Sequence, residues 1–131
     1  MNFSKYIGLP YKHLGRDFDG VDCFGLLRLI YKEELDIVLP DYTDLKYSKD
    51  WYKKEDHIVE NFQKYFYIID RSEKVFDCII FYLNSGFIAN HCGVYISDDK
   101  FIHIYEDETS MISRLSEFWI AKVYKHIRYK E

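Results

Sequence analysis

Gly20-Val21-Asp22-Cys23-Phe24-Gly25-Leu26-Leu27-Arg28-Leu29-Ile30-Tyr31 is the stretch on which the fold turns. A turn led by Gly20 ends at Asp22. From Cys23 onward Leu26, Leu27, Ile30 and Tyr31 recur at helical spacing, so a helix is expected from Cys23 to about Leu35. Asp22 stands at the N-cap position, where a carboxylate accepts a bond from a free amide of the first turn. Cys23 then heads the helix. Unpaired N–H groups and the helix dipole favour negative charge there, which makes a thiol a better thiolate. The competing reading is a small apolar residue at a helix start, since most cysteines are buried and inert.

Working outward, Met1 to Val21 reads as a loop with one short helical turn, punctuated by Gly8, Pro10, Gly15 and Gly20. Pro40 stops the first helix. Trp51 to about Phe66 is a second helix candidate, with Ile58, Val59, Phe62 and Phe66 as its apolar stripe. After the polar break Asp70–Lys74 the chain changes character. Val75–Leu83, Cys92–Ser97, Phe101–Tyr105 and Ala121–Tyr129 are rich in Val, Ile, Tyr and Phe, as strands are. Asn84-Ser85-Gly86 and Ser97-Asp98-Asp99-Lys100 are turns, the second closing a hairpin. Ser113–Trp119 reads as one helical turn. Helices first and strands after imply a single α+β domain over residues 1–131, with N-terminal helices packed on an antiparallel sheet.

Composition narrows the function. In 131 residues, 48% are hydrophobic and 31% charged, which is globular rather than disordered. The formal charge of −4 and the lack of a basic stripe argue against nucleic acid as a partner. No stretch is long and apolar enough for a membrane span. The first fifteen residues do not read as a signal peptide, so the chain is expected to be cytoplasmic on synthesis. Three cysteines without a Cys-x-x-Cys pair indicate neither a disulfide framework nor a Cys-rich zinc site; zinc held by two hairpin histidines and Cys23 is the competing use of these residues, and no His-x-x-x-His spacing supports it. No phosphate loop or dinucleotide fingerprint is present, and no cofactor is expected.

Chemistry rests on cysteine and histidine. Of His13, His57, His91, His103 and His126, His91 opens one strand of the expected hairpin and His103 lies in the next. If their shared face meets the helix start, Cys23 and His91 pair, with His103 behind: imidazole takes the thiol proton and a third polar group fixes the ring. Otherwise both are half-exposed sheet histidines. Cys78 repeats the Asp-Cys dipeptide, but Ile79, Ile80 and Phe81 follow it, so it belongs inside a strand. Cys92 follows His91 and should point to the opposite face. Cys78 and Cys92 are read as core residues.

These residues resemble the NlpC/P60 family of papain-like cysteine peptidases. The resemblance rests on Gly8-Leu9-Pro10-Tyr11, Leu14-Gly15, Asp22-Cys23-Phe24-Gly25-Leu26, His91-Cys92-Gly93-Val94-Tyr95-Ile96 and Phe101-Ile102-His103. It covers most of Ile7–Ile37 and Val75–His103, and Lys46–Arg71 matches nothing in it. It implies Cys23 as nucleophile, His91 as base and His103 as the residue that orients it. Tyr11 and Asp22 would border the oxyanion and substrate site. Peptidoglycan stem peptides are the implied substrate. The Leu-Pro-Tyr opening and Leu39-Pro40-Asp41-Tyr42 most resemble phage tail-assembly peptidases, which implies phage tail proteins as partners and a place in the virion. Leu14 where the family often has Gly, and Phe24 where it often has Ser, depart from the pattern. The alternatives are a structural tail-assembly protein that keeps the fold without hydrolysis, and an amidase or acyltransferase acting on another substrate.

Overall fold

The computed structural model describes residues 2–40, 64–82 and 89–131. The expected second helix lies mostly outside them, as do His57 and the Asn84-Ser85-Gly86 turn. The elements are a 3-10 turn (Ser4–Tyr6), β1 (Arg16–Asp17), β2 (Gly20–Val21), α1 (Cys23–Leu35), β3 (Phe66–Ile69), β4 (Cys78–Tyr82), β5 (Ala89–Ser97), β6 (Lys100–His103), β7 (Met111–Arg114), α2 (Glu117–Ile120) and β8 (Val123–Tyr129).

Helix α1 starts and ends where its residues dictate. Asp22 accepts a bond from the Gly25 amide at 2.8 Å, the N-cap geometry. At the other end Asp36 adopts the left-handed conformation with φ 56°, and the Asp36 and Ile37 amides close onto the Tyr31 carbonyl. Leu26, Leu27, Ile30 and Tyr31 form the buried face as expected, with Leu29 also buried.

Six antiparallel strands follow the order β3-β8-β4-β5-β6-β7, and β1 and β2 form a separate small hairpin. The register sets Cys78 opposite Val94, Ile80 opposite Cys92, and Val94 opposite Ile102. Directly opposed residues share a face. That face packs under α1 in one cluster holding Cys23, Leu26, Ile30, Cys78, Ile80, Cys92, Val94, Ile102 and Ile127. The other face carries Ile79, Phe81, Tyr95 and Phe101, closed by Leu115, Trp119 and Val123. Strand β4 is buried on both faces and is the middle of the domain. The β5–β6 turn places Asp98 and Asp99 at φ 53° and 60°, the left-handed pair that a two-residue hairpin with strand twist requires.

Several boundaries differ from expectation. The N-terminal loop contains the β1–β2 hairpin and is stitched to the β6–β7 connection: the Gly8 amide donates to the Ser110 carbonyl and the Ser110 amide to the Leu9 carbonyl. Strand β4 begins at Cys78 rather than Val75, because Phe76 takes φ 78° and breaks the extended run. Phe66, assigned to the end of a helix, opens β3 and pairs with Tyr129. Ser113, assigned to a helical turn, lies in β7, and only Glu117–Ile120 is helical.

Candidate functional site

The start of α1 is held by a clasp around Asp22. One carboxylate oxygen accepts from the Gly25 amide and from Arg16 Nη1, both at 2.8 Å, and the other from the Leu14 amide at 3.1 Å. Asp22 is buried, so its role in this geometry is to lock the turn that delivers Cys23. The turn crosses the helix closely. A Cβ on Gly25 would stand 2.0 Å from the Gly15 carbonyl oxygen, and one on Gly15 2.2 Å from that of Gly20. Both positions therefore need glycine. Leu14 occupies φ 62°, where glycine is favoured. This gives a physical meaning to the departure at Leu14: the conformation is kept without the glycine that makes it easy. Tyr11 bridges to Val21, two residues ahead of Cys23, and packs half-buried against the core. Phe24 is half-buried, with the Arg16 guanidinium 5.4 Å from its ring centre.

On the sheet, His91 and His103 meet as expected. His91 Nε2 and His103 Nδ1 are 2.8 Å apart, and the residues are 2% and 0% exposed. His103 Nε2 continues to Ser113 Oγ, also at 2.8 Å. Aromatic rings surround the pair. Trp119 stands edge-on to His103 at 4.9 Å and lies stacked by His91 at 6.1 Å, while Phe81, Phe101 and Tyr105 close the remaining sides. Burial lowers the affinity of both rings for a proton. His103 falls to about 4, and His91, with His103 beside it as well, well below the ordinary histidine range. Both imidazoles are neutral at pH 7.

Cys23 differs from expectation in two respects. Its sulfur meets Cys92: the Cys92 Sγ donates to the Cys23 carbonyl at 3.4 Å, and the Cys92 amide points at the Cys23 sulfur. Alternation along β5 turns Cys92 toward α1 and the His91 ring toward the other face, whereas the sequence reading turned Cys92 away. Among the described residues no hydrogen bond joins the Cys23 thiol to His91. Second, the thiol is protonated rather than ionised. Its hydrogen bond with the Cys92 thiol, then burial, and then the charges of Cys92 and Asp22 push its pKa well above the ordinary thiol range. A helix-end dipole is worth up to about 1 kcal/mol, less than one pKa unit, and is outweighed.

Ser113 and Trp119 were not singled out in the sequence. Met111-Ile112-Ser113-Arg114 hides its role because the alternation is inverted: Ile112 is exposed and Ser113 faces inward. His126 on β8 is engaged elsewhere, its Nδ1 receiving the Ser72 hydroxyl at 2.8 Å and the Ser72 amide at 3.1 Å. No group of His, Cys, Asp and Glu among the described residues has the geometry of a metal site.

Comparison with known proteins places this geometry among relatives. The model of the NlpC/P60 family matches residues 8–128. "Probable endopeptidase YafL" of Escherichia coli K12 is 32% identical over 119 residues, covering 88% of this chain and 43% of that protein. The "Gamma-DL-glutamyl hydrolase" of Bacillus subtilis is 29% identical over 122 residues, covering 92% and 26%. The chain therefore spans less than half the length of these two relatives. Among solved structures, an NlpC/P60 family protein from Bacillus cereus superposes with TM-score 0.65 at 24% identity, covering 95% of this chain and 36% of that one. The NlpC/P60 domain of the peptidoglycan hydrolase SagA gives TM-score 0.61 at 18% identity, covering 95% and 91%.

Proposed function

The chain belongs to the NlpC/P60 family, and from that premise we propose that it is a cysteine peptidase that hydrolyses amide bonds of peptidoglycan stem peptides through Cys23, His91 and His103. The observation that carries this reading is the buried His91–His103 pair, 2.8 Å apart between β5 and β6, with Cys92, the residue after His91, touching the first residue of α1. The relatives named for endopeptidase and peptidoglycan hydrolase activity support the substrate class.

The mechanism follows from neutral groups. The reaction requires the Cys23 thiol to leave Cys92 and reach His91, whose ring lies on the other face of β5 in this structure. His91 Nε2 is engaged by His103, so Nδ1 takes the thiol proton while the sulfur attacks the peptide carbonyl. The Cys23 amide at the helix start is the donor available to the oxyanion, with Tyr11 at its border. The intermediate collapses, His91 returns the proton to the leaving amine, and water hydrolyses the thioester. Proton removal and attack are concerted here, because no thiolate stands ready. Carriage by a phage tail is part of the proposal, supported by the Leu9-Pro10-Tyr11 opening.

The test is release of new amino groups from purified peptidoglycan. Wild type should release them and Cys23→Ala should not. Equal release by both, or none by wild type, removes the peptidase reading and favours a structural role.

A further inference from the structure

Strand β7 pairs with β6 so that Ser113 lies opposite Phe101 and Met111 opposite His103. Ser113 is thereby on the imidazole face, among Phe101, Phe81 and Trp119, where an unbonded hydroxyl would cost free energy. Its partner is His103 Nε2. The groups facing His103 are His91 from β5, Phe101 from its own strand, Tyr105 beyond β6, Ser113 from β7 and Trp119 from α2.

Three groups bonded in series, His91–His103–Ser113, allow two proton arrangements. In one, Ser113 donates to His103 Nε2, and His103 Nδ1–H donates to His91 Nε2. His91 then carries its proton on Nδ1 and cannot accept another there. In the other, His91 Nε2–H donates to His103 Nδ1, and His103 Nε2–H donates to Ser113 Oγ. His91 Nδ1 then has a free lone pair. We propose that Ser113 is a positioning residue that accepts from His103 Nε2–H, and so holds His91 in the tautomer that can act as a base through Nδ1. This rests on the peptidase reading for its purpose, but not for its test. Threonine can supply the same acceptor and alanine cannot.

The experiment compares wild type, Ser113→Ala and Ser113→Thr by NMR with ¹⁵N-labelled histidine at pH 7, alongside peptidoglycan cleavage. In wild type, His103 should show a protonated Nε2 and an unprotonated Nδ1. Ser113→Ala should give mixed tautomers at His103 and His91 and lower kcat roughly tenfold at unchanged KM, the scale of one lost hydrogen bond. Ser113→Thr should restore both. Matching circular dichroism of the three proteins confirms that the fold is kept; should Ser113→Ala not fold, the wild-type and Ser113→Thr spectra decide alone. A wild-type His103 protonated at Nδ1, or a Ser113→Ala spectrum like that of wild type, overturns the assignment even if peptidoglycan is cut. The expected spectra with no cleavage by wild type would instead leave Ser113 in place and remove the peptidase reading.

Discussion

The dipeptide Asp-Cys occurs twice, and the two copies are built alike. Asp22 holds Arg16 and the amides of Leu14 and Gly25. Asp77 holds Arg128 through both of its oxygens, at 2.7 and 2.8 Å, and the amides of Glu73 and Lys74. Both carboxylates and both cysteines are buried. What separates them is the next turn of backbone. After Cys23 a glycine lets the Gly15 carbonyl pass and a helix begins. After Cys78 the chain continues as the central strand, locked between β5 and β8. An Asp-Cys pair is therefore a way to bury a thiol beside an anchored turn. Only Cys23 heads a helix, and it touches Cys92, the neighbour of His91.

Exchanging the cysteines tests that distinction most sharply. Cys23→Ala should lower peptidoglycan cleavage at least roughly 10⁴-fold. Cys78→Ala should leave it within about threefold and lower stability by about 1–2 kcal/mol, as a small core truncation does. Comparable losses of activity from both would erase the difference between the two sites.

The anchors come next in size. Arg128→Ala strands the Asp77 carboxylate, whose affinity for protons burial raises and Arg128 and the amides more than offset. Breaking such a pair should cost about 3–5 kcal/mol in urea unfolding, with little change in turnover per folded molecule. A loss of turnover without a shift of the urea midpoint would mean that this clasp, too, serves the site.

Acid separates the polar centres by pH. The unfolded histidines bind protons near pH 6.5, whereas folded His103 does so only near 4, and burial with His103 beside it holds His91 well below its ordinary range. Below about 6.5 the unfolded chain binds more protons than the native one. Stability present above that pH should therefore fall as the pH drops toward 4, by roughly 3 kcal/mol from His103. Asp77, with its pKa lowered, contributes stability that is present above the ordinary carboxylate range and lost only at more acidic pH. Urea midpoints at pH 7 and 4.5 give the comparison, and His103→Gln should flatten it. Equal stability at the two pH values in wild type would contradict neutral buried rings.

The smallest expected difference is in alkylation. Iodoacetamide should modify Cys23, 8% exposed, before Cys78 and Cys92, at 1% and 2%. Its rate should keep rising through pH 9, because the thiol is held protonated. A rate already level at pH 7 would show a thiolate formed in advance.

The sequence made α1 legible because cap, stripe and stop agree locally: Asp22, then Leu26, Leu27, Ile30 and Tyr31, then the break before Pro40. His91 and His103 were legible as residues of adjoining strands, but they share a face only because a bulge between Tyr95 and Ser97 shifts the register by one. Ser113 and Trp119 were hidden. Their roles depend on a register across a long connection and on an inverted alternation that leaves Ile112 outside. The orientation of Cys92 was hidden as well, because which face of β5 receives α1 is decided by the packing of the whole sheet. Arg16 carries no local sign that it will clasp Asp22.

Trp119, edge-on to His103 at 4.9 Å, makes the imidazole pair optically visible. An imidazolium withdraws electron density from a neighbouring excited indole and quenches its emission, whereas a neutral ring does so weakly. With the second tryptophan, Trp51, replaced by phenylalanine, the emission of the protein would report the protonation of His103 directly, in real time and without added dye.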